Sequence, residues 1–210
     1  VNARQQGFTL LEILIVISLL GVLLVLVGGA LLGANRAVLK AQRYTVSLDE
    51  MHAAQQFLRT ALAQALPLPV PAESGQPPGI FFGSAQRLAF VAGLPGQLGG
   101  GINLYTLSLQ GAGAERTLQV AFARVGFNAA GNTYHAWGEP QVLLRDIQQL
   151  KFSYQGVSPA GQLTSWLDHW PWPQRLPRAV RIQAKVNAAV PWLTEVVALR
   201  LDLAGAGRAP

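Results

Sequence analysis

The sequence predicts an α+β protein in which a long N-terminal α-helix, a hydrophobic stem followed by an amphipathic half, packs on antiparallel β-sheet. Three observations carry this. Ile13 to Leu32 is a 20-residue run without a charged side chain. A one-sided apolar spacing of three and four then continues to Ala65, where Pro67, Pro69 and Pro71 close the helix. Beyond the prolines the apolar period falls to two, as strands with one buried face require.

Composition narrows the class further. The 210 residues allow one compact domain with an added segment and exclude a large multidomain enzyme. Charged residues make up 12% of the chain, about half the usual share, so disorder driven by excess charge is excluded. With zero cysteines there are no disulfides, thiol nucleophiles, iron–sulfur clusters or Cys-based zinc sites. The net charge of +6 is spread thinly, without a run of five or six like charges, so no nucleic-acid partner is expected.

The apolar run comes first in chain order. At 1.5 Å per residue it spans about 30 Å, the thickness of a bilayer's hydrocarbon core. A cleaved secretory signal has a shorter apolar core, of about 7 to 15 residues, before a small-residue cleavage site. Gly28-Gly29-Ala30 imitates such a site, but the run is too long for that reading. Orientation is contested: Arg4 and the amino terminus on one side face Arg36, Lys40 and Arg43 on the other. Charge alone would hold the following domain inside the cell. Glu12, at the edge of the run, is costly in a membrane and calls for a partner.

Ahead of the run stands Gly7-Phe8-Thr9-Leu10-Leu11-Glu12, behind a short polar leader, Val1 to Gln6. This resembles the type III signal of type IV pilins and type II secretion pseudopilins. The resemblance implies that prepilin peptidase cuts between Gly7 and Phe8 and methylates the new amino terminus of Phe8, and that Glu12 is needed for assembly. It also implies a division into a leader (1–7), a hydrophobic transmembrane and assembly helix (8–35) and a periplasmic α+β head (36–210), anchored in the bacterial inner membrane. A physical account fits: a neighbouring subunit's Glu12 neutralises the cationic amine of Phe8 inside an apolar helix bundle. Where many members carry a proline in the second half of the stem, this chain has Gly28-Gly29. Each glycine costs a helix about 1 kcal/mol, so the stem either loosens there or packs closely on its small residues.

The amphipathic half places Tyr44, Leu48, Met51, Gln55, Leu58, Leu62 and Ala65 on one stripe, which only Gln55 interrupts. One helix from Phe8 to Leu66 would reach about 89 Å, far beyond a globular need. Residues 67 to 79, rich in Pro, Gly and Ser, read as a loop. Strands are expected at Arg87–Ala92, Ile102–Leu109, Arg116–Arg124, Gln141–Arg145, Leu150–Gln155, Arg178–Val186 and Thr194–Leu203. In the sixth, Val180, Ile182, Ala184 and Val186 alternate with Arg181, Gln183 and Lys185. The arrangement resembles the pseudopilin fold. Val142-Leu143-Leu144, Leu150 to Tyr154, Gly161, Trp166 and Leu176 to Ile182 look most like the J-type minor pseudopilins of type II secretion. Chain length agrees with that type.

No catalytic, cofactor or metal motif is expected. His52, His135 and His169 are scattered, and Ser165, Asp168 and His169 lack any sign of triad geometry beyond adjacency. The glycines between Gly93 and Gly101 lack the Gly-Lys-Ser/Thr ending of a phosphate loop and read as a flexible turn. Asp146, Asp168, Glu195 and Asp202 are too isolated for calcium. The most unusual stretch is Trp166 to Pro173, where Trp166, Trp170 and Trp172 fall within seven residues. They form either a partner interface or a cover over one end of the sheet.

The function implied is that of a noncatalytic minor pseudopilin at the pseudopilus tip, supporting protein export. Its partners would be the I-type and K-type minor pseudopilins, the major pseudopilin, prepilin peptidase and the inner membrane. The alternatives are a minor pilin of a type IV pilus, serving adhesion, motility or DNA uptake, and a membrane-tethered module whose tryptophans hold a saccharide or peptide.

Overall fold

The computed structural model describes residues 10–71, 79–96, 99–128, 131–188 and 190–199. The chain divides into two compact units between Val46 and Ser47. Helix α1, Leu10–Ala63, supplies the first unit and the opening of the second. The division between the units lies further along the helix than the expected boundary at residue 35.

Within the second unit come nine strands among the described residues: β1 (Ala65–Leu66), β2 (Phe81–Gly83), β3 (Arg87–Gly93), β4 (Ile102–Gln110), β5 (Thr117–Asn128), β6 (Gly131–Leu144), β7 (Ile147–Gln155), β8 (Ala179–Val186) and β9 (Glu195–Ala198). They build a six-stranded sheet in the order β1-β3-β4-β5-β6, with β2 also pairing β3, and a three-stranded sheet β7-β8-β9. Every pairing is antiparallel. The α+β fold class follows as expected.

Helix and sheets share one core. Met51, Ala54, Leu58, Ala61 and Leu62 of α1 are buried in the same cluster as Phe81, Phe90, Tyr105, Phe152, Tyr154 and Ile182. The predicted stripe is thus largely right, and its one anomaly resolves. Ala54 takes the buried place, while the larger, polar Gln55 is only half-buried at the border. The aromatic residues interlock: Tyr105 stacks on Phe90 at 5.3 Å and meets Phe122 edge-on at 5.1 Å. On β8, Val180 and Ile182 are fully buried and Lys185 is exposed, the alternation read from the sequence.

The boundaries differ in places for physical reasons. Helix α1 ends at Ala63, before the expected Leu66, because Ala65 and Leu66 pair with Ala92 and Val91 at the sheet edge. The ninth strand covers Glu195–Ala198, without Thr194 and Leu199 at the ends of the expected run, and 200–203 lie outside the described residues. The largest departure is β6, of which only its last part was expected, as Gln141–Arg145. Its residues 131–140 lie on the sheet edge, mostly half-buried or exposed, so no period-two signal marks them. Pairing passes from Phe122–Trp137 to Val120–Gln141, so Gly138, Glu139 and Pro140 bulge opposite one residue of β5. An edge strand tolerates both the proline and the bulge, with Gly138 at a φ of 68°.

The glycine-rich segment after β3 makes the turn into β4. Gly99, Gly100 and Gly101 all have positive φ, a conformation that other residues rarely adopt. The turn is tied down by Asn103, fully buried, whose Nδ2 donates to the carbonyls of Gly100 and Gly101 at 3.1 and 3.2 Å. Its Oδ1 accepts from Trp137 Nε1 at 2.9 Å. The expected looseness therefore gives way to a stapled turn.

Candidate functional site

The first candidate region is the stem. Gly7 and Phe8 lie outside the described residues. Glu12 stands in the first turn of α1, where a carboxylate complements the positive end of the helix dipole. From Leu10 to Gly29 the helix is long and apolar enough to cross a membrane, with a mean hydropathy of 3.1. Its apolar side chains are exposed throughout, Val25 to 75% and Leu26 to 66%. An uninterrupted apolar surface of this size needs lipid or other helices around it. The hydroxyl of Ser18 is satisfied inside the helix, donating to the Ile15 carbonyl at 2.8 Å. Gly28 and Gly29 remain helical with nothing packed on them, so a close-approach surface is present there and a break is not.

The tryptophan segment divides into two parts. Trp170 is only 4% exposed and belongs to the main core. Its Nε1 donates to the Arg175 carbonyl at 2.7 Å, which leaves no orphaned donor. Gly156 makes room for it: a Cβ there would lie 2.5 Å from the indole Cη2. Trp172 meets Trp170 edge-on at 5.0 Å and is half-buried. Trp166 is also half-buried and lies outward on the small sheet, with the Arg181 guanidinium 4.6 Å above its ring centre. Trp170 is thus a foundation, and the accessible indole surface belongs to Trp166 and Trp172.

Of Ser165, Asp168 and His169, the acid is engaged elsewhere. Asp168 Oδ1 pairs with Lys151 Nζ at 2.9 Å across the sheet face. His169 joins Trp170, Pro171 and Pro173 along a hollow of about 610 Å³ that also touches Phe82 and Leu104. Among the described residues, no three His, Asp or Glu side chains gather as a metal site would require.

One ionic feature went unnoticed in the sequence except as an isolated acid. Glu195 on β9 is buried, and Arg59 of α1 donates through Nε to its Oε1 at 2.7 Å. The two are 136 residues apart in sequence. The available signal was faint: a charged residue at an inward position of an alternating strand, two before the buried Val197.

Comparison with known proteins agrees with this picture. The family described as type II secretion system (T2SS), protein J, matches residues 33–199. A prokaryotic N-terminal methylation motif matches residues 2–28, across the expected cleavage point and the start of the apolar helix. A relative described as type II secretion system protein J, from Xanthomonas campestris pv. campestris, is 35% identical over 202 residues, covering 93% of each chain. Signal, apolar helix and α+β head therefore converge. The chain belongs to the protein J family of the type II secretion system, the J-type minor pseudopilins.

Proposed function

We propose that prepilin peptidase cuts this J-type minor pseudopilin between Gly7 and Phe8, methylates Phe8, and releases a subunit that assembles at the pseudopilus tip. The stem, 8–35, crosses the inner membrane once before assembly and packs among other stems afterwards. The head, 36–210, faces the periplasm and contacts the I-type and K-type minor pseudopilins, with the major pseudopilin below. Glu12 neutralises the Phe8 amine of a neighbour, and Trp166 and Trp172, seated on Trp170, face a partner head. The role is structural, supporting protein export, and no reaction is assigned to the chain.

The observation that carries this reading is the bare apolar face of α1 from Leu10 to Gly29, which begins immediately after the processing signal and carries Glu12 in its first turn. A helix so exposed is unfavourable in water and requires a membrane or a bundle of its own kind. The test is affinity isolation of the chain from its native host, with mass spectrometry of its amino terminus. N-methylated Phe8 together with co-isolated pseudopilins is expected. Recovery only with Val1 to Gly7 still attached, or only as a freely dissolved monomer, overturns it.

A further inference from the structure

Among the described residues, Glu195 is the only charged residue that is buried; 5% of its side chain meets solvent. Arg59 satisfies Oε1, but Oε2 is buried without a hydrogen-bond partner among the described residues. Both residues border an open hollow of about 480 Å³, together with His52, Ala53, Gln55 and Gln56 of α1. A carboxylate can accept about four hydrogen bonds, and a buried one that receives a single donor is an expensive arrangement. The fold does not ask for it, since Val197, the next inward position of β9, is apolar. Replacing a buried ion pair by apolar residues of similar volume is often neutral or stabilising, and here the partner, Arg59, is 64% exposed and would return to water.

We propose that this hollow is a docking site for a lysine or arginine side chain of another pseudopilus subunit, whose cationic group donates to Glu195 Oε2; the inference rests on the pseudopilus reading above. Charge supports the assignment. The exposed Asp49 lies one helical turn before His52 and Ala53, on the same face of α1 as Gln56. Asp49 is not part of the hollow's lining, but from one turn away its carboxylate adds negative charge beside Glu195, on a chain whose formal charge is +6. Arg59 itself is 64% exposed, so it holds Glu195 in place from the side and leaves the mouth open. A second cation entering there completes a carboxylate clasped between two donors, an arrangement that favours one register of subunit against subunit.

The test uses the full chain in membranes, co-expressed with the other pseudopilins of its system and carrying a photo-crosslinking amino acid at Gln56. A second probe at Leu20 reports stem contacts. The expected adduct from position 56 joins a Lys- or Arg-containing peptide of another pseudopilin, and Glu195→Gln diminishes it by about 30-fold or more. Glu195→Leu, which removes the buried charge, is expected to keep the head folded in a thermal melt and to lose the adduct as well. Undiminished adducts in both variants overturn the proposal. So does an adduct on this chain's own 200–210 segment, or on a partner peptide without a basic residue. Stem adducts from Leu20 without the adduct from position 56 defeat the docking site alone. Absence of any pseudopilin adduct from Leu20 defeats the pseudopilus reading and the docking site with it.

Discussion

The ring of Tyr154 rests against the backbone of Gly83 so closely that a Cβ at Gly83 would lie 2.4 Å from the tyrosine Cζ. The two residues belong to different sheets, β7 and β2, and the Tyr154 hydroxyl donates to the Ser84 carbonyl at 2.7 Å. Sheet is thereby fastened to sheet at the centre of the core. Gly83→Ala drives a methyl group into a ring held on all sides, an overpacking expected to cost about 1–3 kcal/mol. Urea unfolding of the detergent-solubilised full chain measures it. An unchanged midpoint would show that the two sheets are not held together here.

Alkali should loosen the same core. Burial pushes the Tyr105 hydroxyl up to about 12, and burial raises the Tyr154 hydroxyl further still. The ordinary tyrosine value is about 10. Above it the unfolded chain has lost protons that the folded chain retains, so stability falls as pH rises; below it the two states bind the same protons and this contribution is flat. Urea midpoints taken from pH 8 to 12 should therefore hold steady and then decline from near pH 10. The decline is at most about 1.4 kcal/mol per pH unit for each tyrosine. Tyr154→Phe should make it shallower, and an equally steep decline in that variant would assign the effect elsewhere.

What could be read in advance follows from how local each signal is. The stem, the stripe of Met51, Leu58 and Leu62, and the alternation of Val180 and Ile182 are each written within a few turns or a single strand. They appear in the structure where periodicity put them. Strand β6 was largely illegible because its outer half buries little on either face, and Gly138 and Pro140 imitate a turn. The Arg59–Glu195 pair was illegible for another reason. Each residue is unremarkable alone, and only the pairing of β9 with β8 beside α1 brings them to 2.7 Å. Trp170 and its neighbours formed one conspicuous cluster in sequence; burial alone separated the foundation from the half-buried pair, Trp166 and Trp172.

That separation makes a mutational contrast. Trp170→Ala removes a buried indole and leaves a cavity, expected to cost about 3–5 kcal/mol. Gly156→Ala should also destabilise by evicting the same ring, since its Cβ would fall 2.5 Å from Cη2. Trp166→Ala loses little beyond its contact with Arg181, a cation–π interaction of about 0.5–1 kcal/mol at an exposed site. Thermal melts paired with co-isolation of other pseudopilins distinguish the roles. Trp166→Ala should leave the melt within a few degrees of the parent and reduce partner recovery. Full recovery of partners in Trp166→Ala would remove that residue from the interface.

Glu12 permits the sharpest separation between processing and assembly. In the processing proposed above the peptidase acts at the Gly7–Phe8 bond, four residues away, so Glu12→Gln should leave cleavage and N-methylation of Phe8 intact by mass spectrometry. The neutral amide keeps the helix and the side-chain volume but cannot neutralise the amine of a neighbouring Phe8. Within an apolar bundle an amine deprived of its partner costs about 3–5 kcal/mol, enough to lower incorporation by two orders of magnitude or more. Glu12→Asp retains the charge on a shorter arm and should restore part of the assembly that Glu12→Gln loses. A merely structural need for a polar residue at this position predicts the opposite order, because Gln matches Glu in length and Asp does not. Incorporation of Glu12→Gln at the parental level, in processed and methylated protein, would show that the stems align without this charge pair.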